Sequence, residues 1–370
     1  MKKHVVPFAL LFGVFALTAC NNPVTTSSKT SEESSSGETS SQASSETSSQ
    51  TTETTSIGAA FAGNLAVSTT SGPGLSLKSE ALGLAVMTEL PLVVVDVQRG
   101  GPSTGLPTKT EQTDLNQALY GRNGECPIPV ITAHSPANCF YAAFMACKIA
   151  LEHMTPVLLL SGGFLGNGSE PWLIPYMKDY PEIHPPFVKG APSEGKFHPF
   201  ERNPETMVPY WAIPGQKGLE HRKGGLEKTH AGVLSTDPQN HELMVAERAE
   251  KVARIAEDIP DLHIQGNSKG KLLVVGWGGT YGHIASAIHD LREEGVDVSY
   301  THFDFLNPLP KNTREVFSGF EKMLVCELNS GQFADYLRSK FPEFRFEKFN
   351  KIQGQPFLVS ELTAAIKNQL

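Results

Sequence analysis

Leu90-Pro91-Leu92-Val93-Val94-Val95-Asp96-Val97 is a continuous apolar run, rich in β-branched residues, with a single carboxylate inside it. Such a run suits a strand buried on both faces and lacks the alternation of a strand with one wet face. It constrains the fold strongly, because helices must then cover both sides of its sheet. A second run, Pro156-Val157-Leu158-Leu159-Leu160, follows a stretch from Ala142 to Glu152 with apolar residues at helical spacing. Strand, loop, helix and strand in that order indicate a parallel α/β sheet. Lys271 opens a second α/β unit. Leu272 to Val275 reads as a strand running into Gly276-Trp277-Gly278-Gly279-Thr280, followed by a helix at Ile284 to Glu293, a strand at Val296 to Phe303, a helix near Thr313 and a strand at Lys322 to Glu327.

With 370 residues and about 150 per domain as a guide, two domains are expected. Asp179 to Asp237, rich in Pro, Gly, His and charge, reads as a long irregular excursion. His241 to Ile259 reads as an amphipathic helix bridging the domains. The N-terminus differs from all of this. Lys2 and Lys3, an apolar run from Val5 to Leu17 and then Leu17-Thr18-Ala19-Cys20 have the layout of a lipoprotein signal peptide, too short to span a bilayer. On that reading residues 1–20 are the signal, Cys20 carries a lipid as the mature N-terminus, and the Ser/Thr-rich residues 21–56 form a disordered tether. The first folded domain then runs over 57–240 and the second over 241–370.

A net charge of -8 offers no basic field to a polyanion, so no nucleic-acid partner is expected. The five cysteines, Cys20, Cys126, Cys139, Cys147 and Cys326, show no C-x-x-C spacing. Neither an iron–sulfur cluster nor a metal is expected on this chain.

Two segments could carry chemistry. Ser68-Thr69-Thr70-Ser71-Gly72-Pro73-Gly74 precedes a helix expected from Leu75 through Ala85. Its glycines let backbone approach a ligand, although a tight strand-to-helix turn needs the same residues. Asp96-Val97-Gln98-Arg99-Gly100-Gly101-Pro102-Ser103-Thr104-Gly105-Leu106-Pro107-Thr108 follows the C-terminal end of the buried strand, where open α/β sheets bind ligands. Arg99 can hold a carboxylate through two parallel hydrogen bonds, and Ser103 and Thr104 can add hydroxyl donors. A small carboxylate is the expected ligand, against the alternative of Arg99 as a surface ion-pair partner.

Thr70-Ser71-Gly72-Pro73-Gly74, Lys78-Ser79-Glu80, Leu92 to Arg99 and Gly101 to Thr108 together resemble the alpha subunit of 2-oxoacid:ferredoxin oxidoreductases, the 2-oxoglutarate (KorA-like) type above all. Asn167 to Trp172, Gly218 to Arg222, Gly224 to Lys228 and Gly276-Trp277-Gly278 extend the resemblance over Gly58 to Leu370. The resemblance implies an α/β chain with a thiamine-diphosphate-enzyme pyrimidine-binding domain, incomplete at its start, followed by a transketolase-C-terminal-like domain. It implies thiamine diphosphate shared with a beta subunit that carries Mg²⁺ and a [4Fe–4S] cluster, possible gamma and delta subunits, and oxidative decarboxylation of a 2-oxoacid to acyl-coenzyme A with electrons passed to ferredoxin. Arg99 and Thr104 match residues that orient the substrate, with Ser103 beside them. Ser71, Gly72 and Gly74 match residues beside the pyrimidine ring. For the distal carboxylate of 2-oxoglutarate, Lys109, Arg122, His221 and Arg222 stay open as partners, together with residues of the beta subunit.

Two parts of the family pattern are not found: a Tyr-Pro-Ile-Thr-Pro motif, and a helix bearing the glutamate that protonates the pyrimidine ring, expected before the Gly-Ala segment. Glu46 and Glu53 are the nearest carboxylates, and both fall in the tether composition. Severely reduced turnover is therefore expected. Two further readings stand beside the enzyme: a noncatalytic surface lipoprotein with a degenerate α/β module, and a transketolase-like enzyme acting alone, which lacks the required Gly-Asp-Gly. The enzyme body implies a cytoplasmic location, and the leader implies membrane attachment through Cys20.

Overall fold

The computed structural model describes residues 53–192 and 195–370. The signal peptide, Cys20 and the tether up to residue 52 lie outside the described residues.

The buried run forms β2 (Leu92–Gln98), in which every residue but Val97 is buried. It lies between β1 (Ala66–Thr70) and β4 (Pro156–Gly162), parallel to both, with Val93 opposite Val67 on one side and Val157 on the other. β3 (Val130–Thr132) extends the parallel sheet beyond β4, and β8 (Phe305–Asn307) closes that side antiparallel to β3. Successive side chains of a strand point to opposite faces. Val93 and Val95 accordingly pack with Phe144, Met145 and Ile149 of α5 (Asn138–His153), while Leu92 and Val94 pack with Leu82, Ala85 and Val86 of α3 (Ser79–Thr88). Burying each such side chain contributes roughly 1.5–3 kcal/mol.

The single helix expected from Leu75 to Ala85 is two, α2 (Gly72–Leu77) and α3, broken at Lys78. Lys78 is buried, its Nζ 2.8 Å from Glu53 Oε1. Glu53 is itself wholly buried, and residues 53–61 form a helix, α1. The last four residues assigned to the tether thus belong to the folded body. Composition misled there because Thr54, Thr55 and Ser56 look like more of the tether, while Ile57 and Ala60, one and two turns' spacing from Glu53, carry the buried face.

α7 (Pro238–Arg254) begins with Pro238 behind an Asp237 cap, whose side chain accepts from Asn240 N at 2.7 Å. Expected as a bridge, it packs Val252 into the first sheet's cluster beside Ile255 and Ile259. The second sheet has the order β10-β9-β6-β7-β5. Its strands are β5 (Ile264–Gln265), β6 (Gly270–Trp277), β7 (Ser299–Phe303), β9 (Phe320–Glu327) and β10 (Phe346–Asn350), parallel except for β5. α8 (Tyr281–Glu293) and α11 (Val359–Lys367) cover one face; α9 (Thr313–Ser318) and α10 (Gln332–Lys340) cover the other. A single apolar cluster joins the sheets, holding Leu92 and Leu158 of the first with Leu273, Val275 and Trp277 of the second.

Candidate functional site

Thr70, the last residue of β1, is in register with Asp96 of β2, so the chain leaves both strands at the same end of the sheet. This brings the Ser71-Gly72-Pro73-Gly74 turn beside the Arg99 loop. Ser71 is extended and Gly72 opens α2. A Cβ on Gly72 would lie 2.7 Å from Asp114 Oδ1, and one on Gly74 would collide with Thr70 Oγ1. Both positions therefore need glycine for close approach, whatever the turn binds.

The Arg99 loop is closed at its neck. Gly100 N donates to Lys109 O at 3.0 Å, and Leu106 N donates to Gly100 O at 2.8 Å. Gly105 takes a φ of +48°, with the Gly100 backbone where a Cβ would stand. Arg99 sits half-buried at the strand end, whereas Ser103, with a φ of +54°, and Thr104 lie on the exposed outer part. The segment after the neck is fixed to the second sheet through Gln112. Its backbone N donates to Leu328 O and its Nε2 to Trp277 O, while its side-chain and backbone oxygens accept from Leu328 N and Asn329 Nδ2, all within 3.0 Å.

Beneath Arg99 lie two carboxyls. Asp96 is fully buried, and neither of its oxygens, nor Asp114 Oδ2, meets a donor in the fold. Burial, and then the charge of Asp114, push the Asp96 carboxyl up to about 8, with Arg99 opposing. Burial also raises Asp114, again against Arg99, with Glu111 adding to the rise. Two neighbouring buried carboxylates cannot both ionise cheaply, so the pair holds one proton near neutrality, and Asp96, the more buried, is its seat. The pair then carries one negative charge opposite the single positive charge of Arg99. Glu111 accepts from Gly354 N at 3.2 Å and is raised by burial.

The open candidates for a second cationic contact divide clearly. Arg122 is committed to the end of α4 (Leu115–Tyr120), donating to Ala118 O at 2.9 Å and Leu119 O at 2.8 Å. His221 bonds Leu219 O through Nδ1 at 2.7 Å, lies between the rings of Phe61 and Phe197, and is lowered by burial. Lys109 and Arg222 are exposed, Lys109 at the loop neck. Sequence reasoning passed over Asp96, Glu111, Gln112 and Asp114. The signal for Asp96 was available, since a lone carboxylate within a fully buried strand needs a partner.

The profile of the pyruvate flavodoxin/ferredoxin oxidoreductase thiamine-diphosphate-binding family matches residues 21–238. The chain is 49% identical over 318 residues to the 2-oxoglutarate oxidoreductase subunit KorA of Mycobacterium tuberculosis, covering 85% of this chain and 48% of that protein. It is 32% identical over 307 residues to the 2-oxoglutarate synthase subunit KorA of Methanothermobacter thermautotrophicus, covering 81% and 79%. Among solved structures, the 2-oxoglutarate:ferredoxin oxidoreductase from Magnetococcus marinus, with 2-oxoglutarate, coenzyme A and succinyl-CoA bound, superposes with a TM-score of 0.81 at 31% identity, over 87% of this chain and 56% of that one. The chain thus spans about half the length of several relatives it matches. No helix of the described residues is long and apolar enough to cross a membrane.

Proposed function

Because the chain belongs to the pyruvate flavodoxin/ferredoxin oxidoreductase family, we propose that it is the alpha subunit of a 2-oxoglutarate:ferredoxin oxidoreductase. The reaction is oxidative decarboxylation of the 2-oxoacid to an acyl-coenzyme A, with electrons passed to ferredoxin. The observation that carries this reading is the position of Arg99 just past the end of β2, at the same end of the sheet as the glycine turn that leaves β1. On this reading the Arg99 guanidinium binds the substrate's carboxylate, with the single negative charge of the Asp96–Asp114 pair close to it. Ser103 and Thr104, on the outer part of the loop, are the hydroxyl donors assigned to the substrate beside Arg99.

Thiamine diphosphate, when bound, supplies the carbanion chemistry that releases CO₂. The residues present fit it: Ser71, Gly72 and Gly74 would line its pyrimidine ring, and Asp114 Oδ2 and Thr113 Oγ1 are buried acceptors near the turn with no donor of the fold committed to them. Glu53, buried on α1 ahead of the Gly-Ala segment, is our candidate for the acid that protonates the ring. It removes the ground for expecting reduced turnover. Mg²⁺ and the [4Fe–4S] cluster are assigned to a beta subunit. The enzyme body works in the cytoplasm on this proposal; an intact mass with a lipid on Cys20 would contradict it.

The test is co-expression with a beta subunit and an assay of 2-oxoacid-dependent viologen reduction. Arg99→Lys keeps the charge and loses the planar fork, so kcat/KM should fall by about 100-fold, roughly 3 kcal/mol of transition-state binding. Unchanged kcat/KM would remove Arg99 from the substrate site. Glu53→Gln should abolish turnover while leaving coenzyme A binding intact, and full turnover would exclude Glu53 as the ring's acid. A noncatalytic module would show no 2-oxoacid-dependent reduction in any of the three proteins.

A further inference from the structure

His134, His302 and Asp304 come together where the two sheets meet, beside the Gly276-Trp277-Gly278 turn. One nitrogen of each imidazole and one oxygen of the carboxylate lie within 4.8 Å of one another. The backbone holds each residue in place. His134 N donates to Asn138 Oδ1 at 3.0 Å, and Thr132 N donates to Asp304 O at 2.8 Å, which ties Asp304 to the end of β3. His302 and Asp304 are two residues apart in an extended segment where Phe303 and Phe305 are buried and they are not, so they share a face. Tyr281 packs on both rings, its centroid 4.5 Å from His134 and 5.1 Å from His302.

Each imidazole is oriented through Nδ1. His134 Nδ1 is 2.8 Å from Asp304 Oδ1, and His302 Nδ1 is 2.6 Å from Tyr300 Oη. The Asp304 carboxylate can only accept, so His134 holds its proton on Nδ1 and its Nε2 lone pair is free; His302 has the same tautomer when Tyr300 Oη accepts from Nδ1, as in metal-binding histidines. His302 Nε2 is buried, and although the Gly278 backbone approaches the ring, this nitrogen has no hydrogen-bond partner. A polar network formed for stability alone would not leave it so.

We propose that His134, His302 and Asp304 bind a divalent transition metal ion of the zinc class. Two imidazole nitrogens and one carboxylate oxygen suit a borderline ion and disfavour Ca²⁺ or Mg²⁺, which take oxygen. Ligand atoms around a bound zinc ion are roughly 3.4 Å apart, a contraction that side-chain rotation at the partly exposed His134 and Asp304 covers. The sequence reading, which expected no metal here, searched for cysteine spacing and could not see a cluster assembled from the segment after β3 and the end of β7.

The test uses the full chain, stripped with a chelator and dialysed against Zn²⁺ alone. Wild type should retain one equivalent more than Asp304→Asn and His302→Gln, whose affinity should fall by about 100-fold or more. Zn²⁺ should also raise the melting temperature of wild type and leave that of the variants unchanged. Should a variant fail to fold, Co²⁺ titration of wild type decides: a visible spectrum of a nitrogen-ligated, water-poor ion is expected. Equal stoichiometry in all three proteins, or a wild-type Co²⁺ spectrum identical to that of the aquo ion, would overturn the proposal.

Discussion

Glu89→Gln should destabilise the chain by about 3–5 kcal/mol, the usual result of removing one partner from a buried ion cluster. Glu89 ends α3 with a φ of 50° and is wholly inaccessible. It accepts from Arg202 Nη1 and Nη2 at 2.8 and 2.7 Å, and from Lys251 Nζ at 2.7 Å. Burial alone would raise its carboxyl, but Lys251 and Arg202 outweigh burial and hold it well below the ordinary carboxylate range. Arg202 also reaches Glu247 at 2.7 Å, and Lys251 reaches Met154 O at 2.8 Å. One carboxylate thus links the irregular excursion, α3 and α7. Lys223 and Lys228 lie close by, lowered by burial to about 7 and about 8, as Lys251 is to about 8. Glutamine keeps the shape and removes the charge, so the loss reads the charge itself.

The sign with pH follows from these groups. A depressed Glu89 contributes stability above the unfolded carboxylate's value, and that contribution goes as pH falls through the folded one. In the variant the unpaired lysines can shed protons near pH 8 and relieve the repulsion. The difference between wild type and variant should therefore be larger at pH 6 than at pH 9. Urea unfolding at the two values measures it, and a loss below about 1 kcal/mol at pH 6 would show that the cations find other partners.

Asp96→Asn should have the opposite effect and make the chain more stable above pH 5. The Asp96 carboxyl rises from 3.8 to about 8 on folding. Between those values the folded chain binds more protons than the unfolded one, so wild-type stability falls as pH rises, by up to about 1.4 kcal/mol per pH unit. Asparagine donates to Asp114 as the protonated acid does, yet titrates nowhere. The two unfolding curves should converge near pH 4 and diverge steadily toward pH 8. Parallel curves across that range would mean that Asp96 and Asp114 do not share a proton. Lys223, Lys228 and Lys251 titrate in both proteins, so their contribution cancels in the difference.

Strong local signals made much of the fold legible. β2, β4, β6 and β9 were visible because strands buried on both faces carry long apolar runs, and α5 and α8 because their apolar residues keep helical spacing. β1 was not, since Ala66-Val67-Ser68-Thr69-Thr70 is an edge strand of mostly small and polar residues. β3 and β8 have three residues each, and only their pairing across the chain makes them strands. At the candidate site the Arg99 loop and the Ser71 turn were legible as motifs. Asp114 and Gln112 were not, because what matters about them is a carboxyl beside Asp96 and a set of bonds to residues more than 160 positions away. Glu53 was dismissed on the composition of its neighbours, although its own burial depends on Lys78, 25 residues downstream.

The four bonds of Gln112 and the apolar cluster shared by both sheets bear on how the chain comes apart. Opening the junction exposes apolar side chains of both sheets at once, so loss of one sheet is expected to destabilise the other. Heating should accordingly produce a single cooperative transition, with the calorimetric and van't Hoff enthalpies equal for the body as a whole. On that outcome the two sheets, though separate, make one thermodynamic unit.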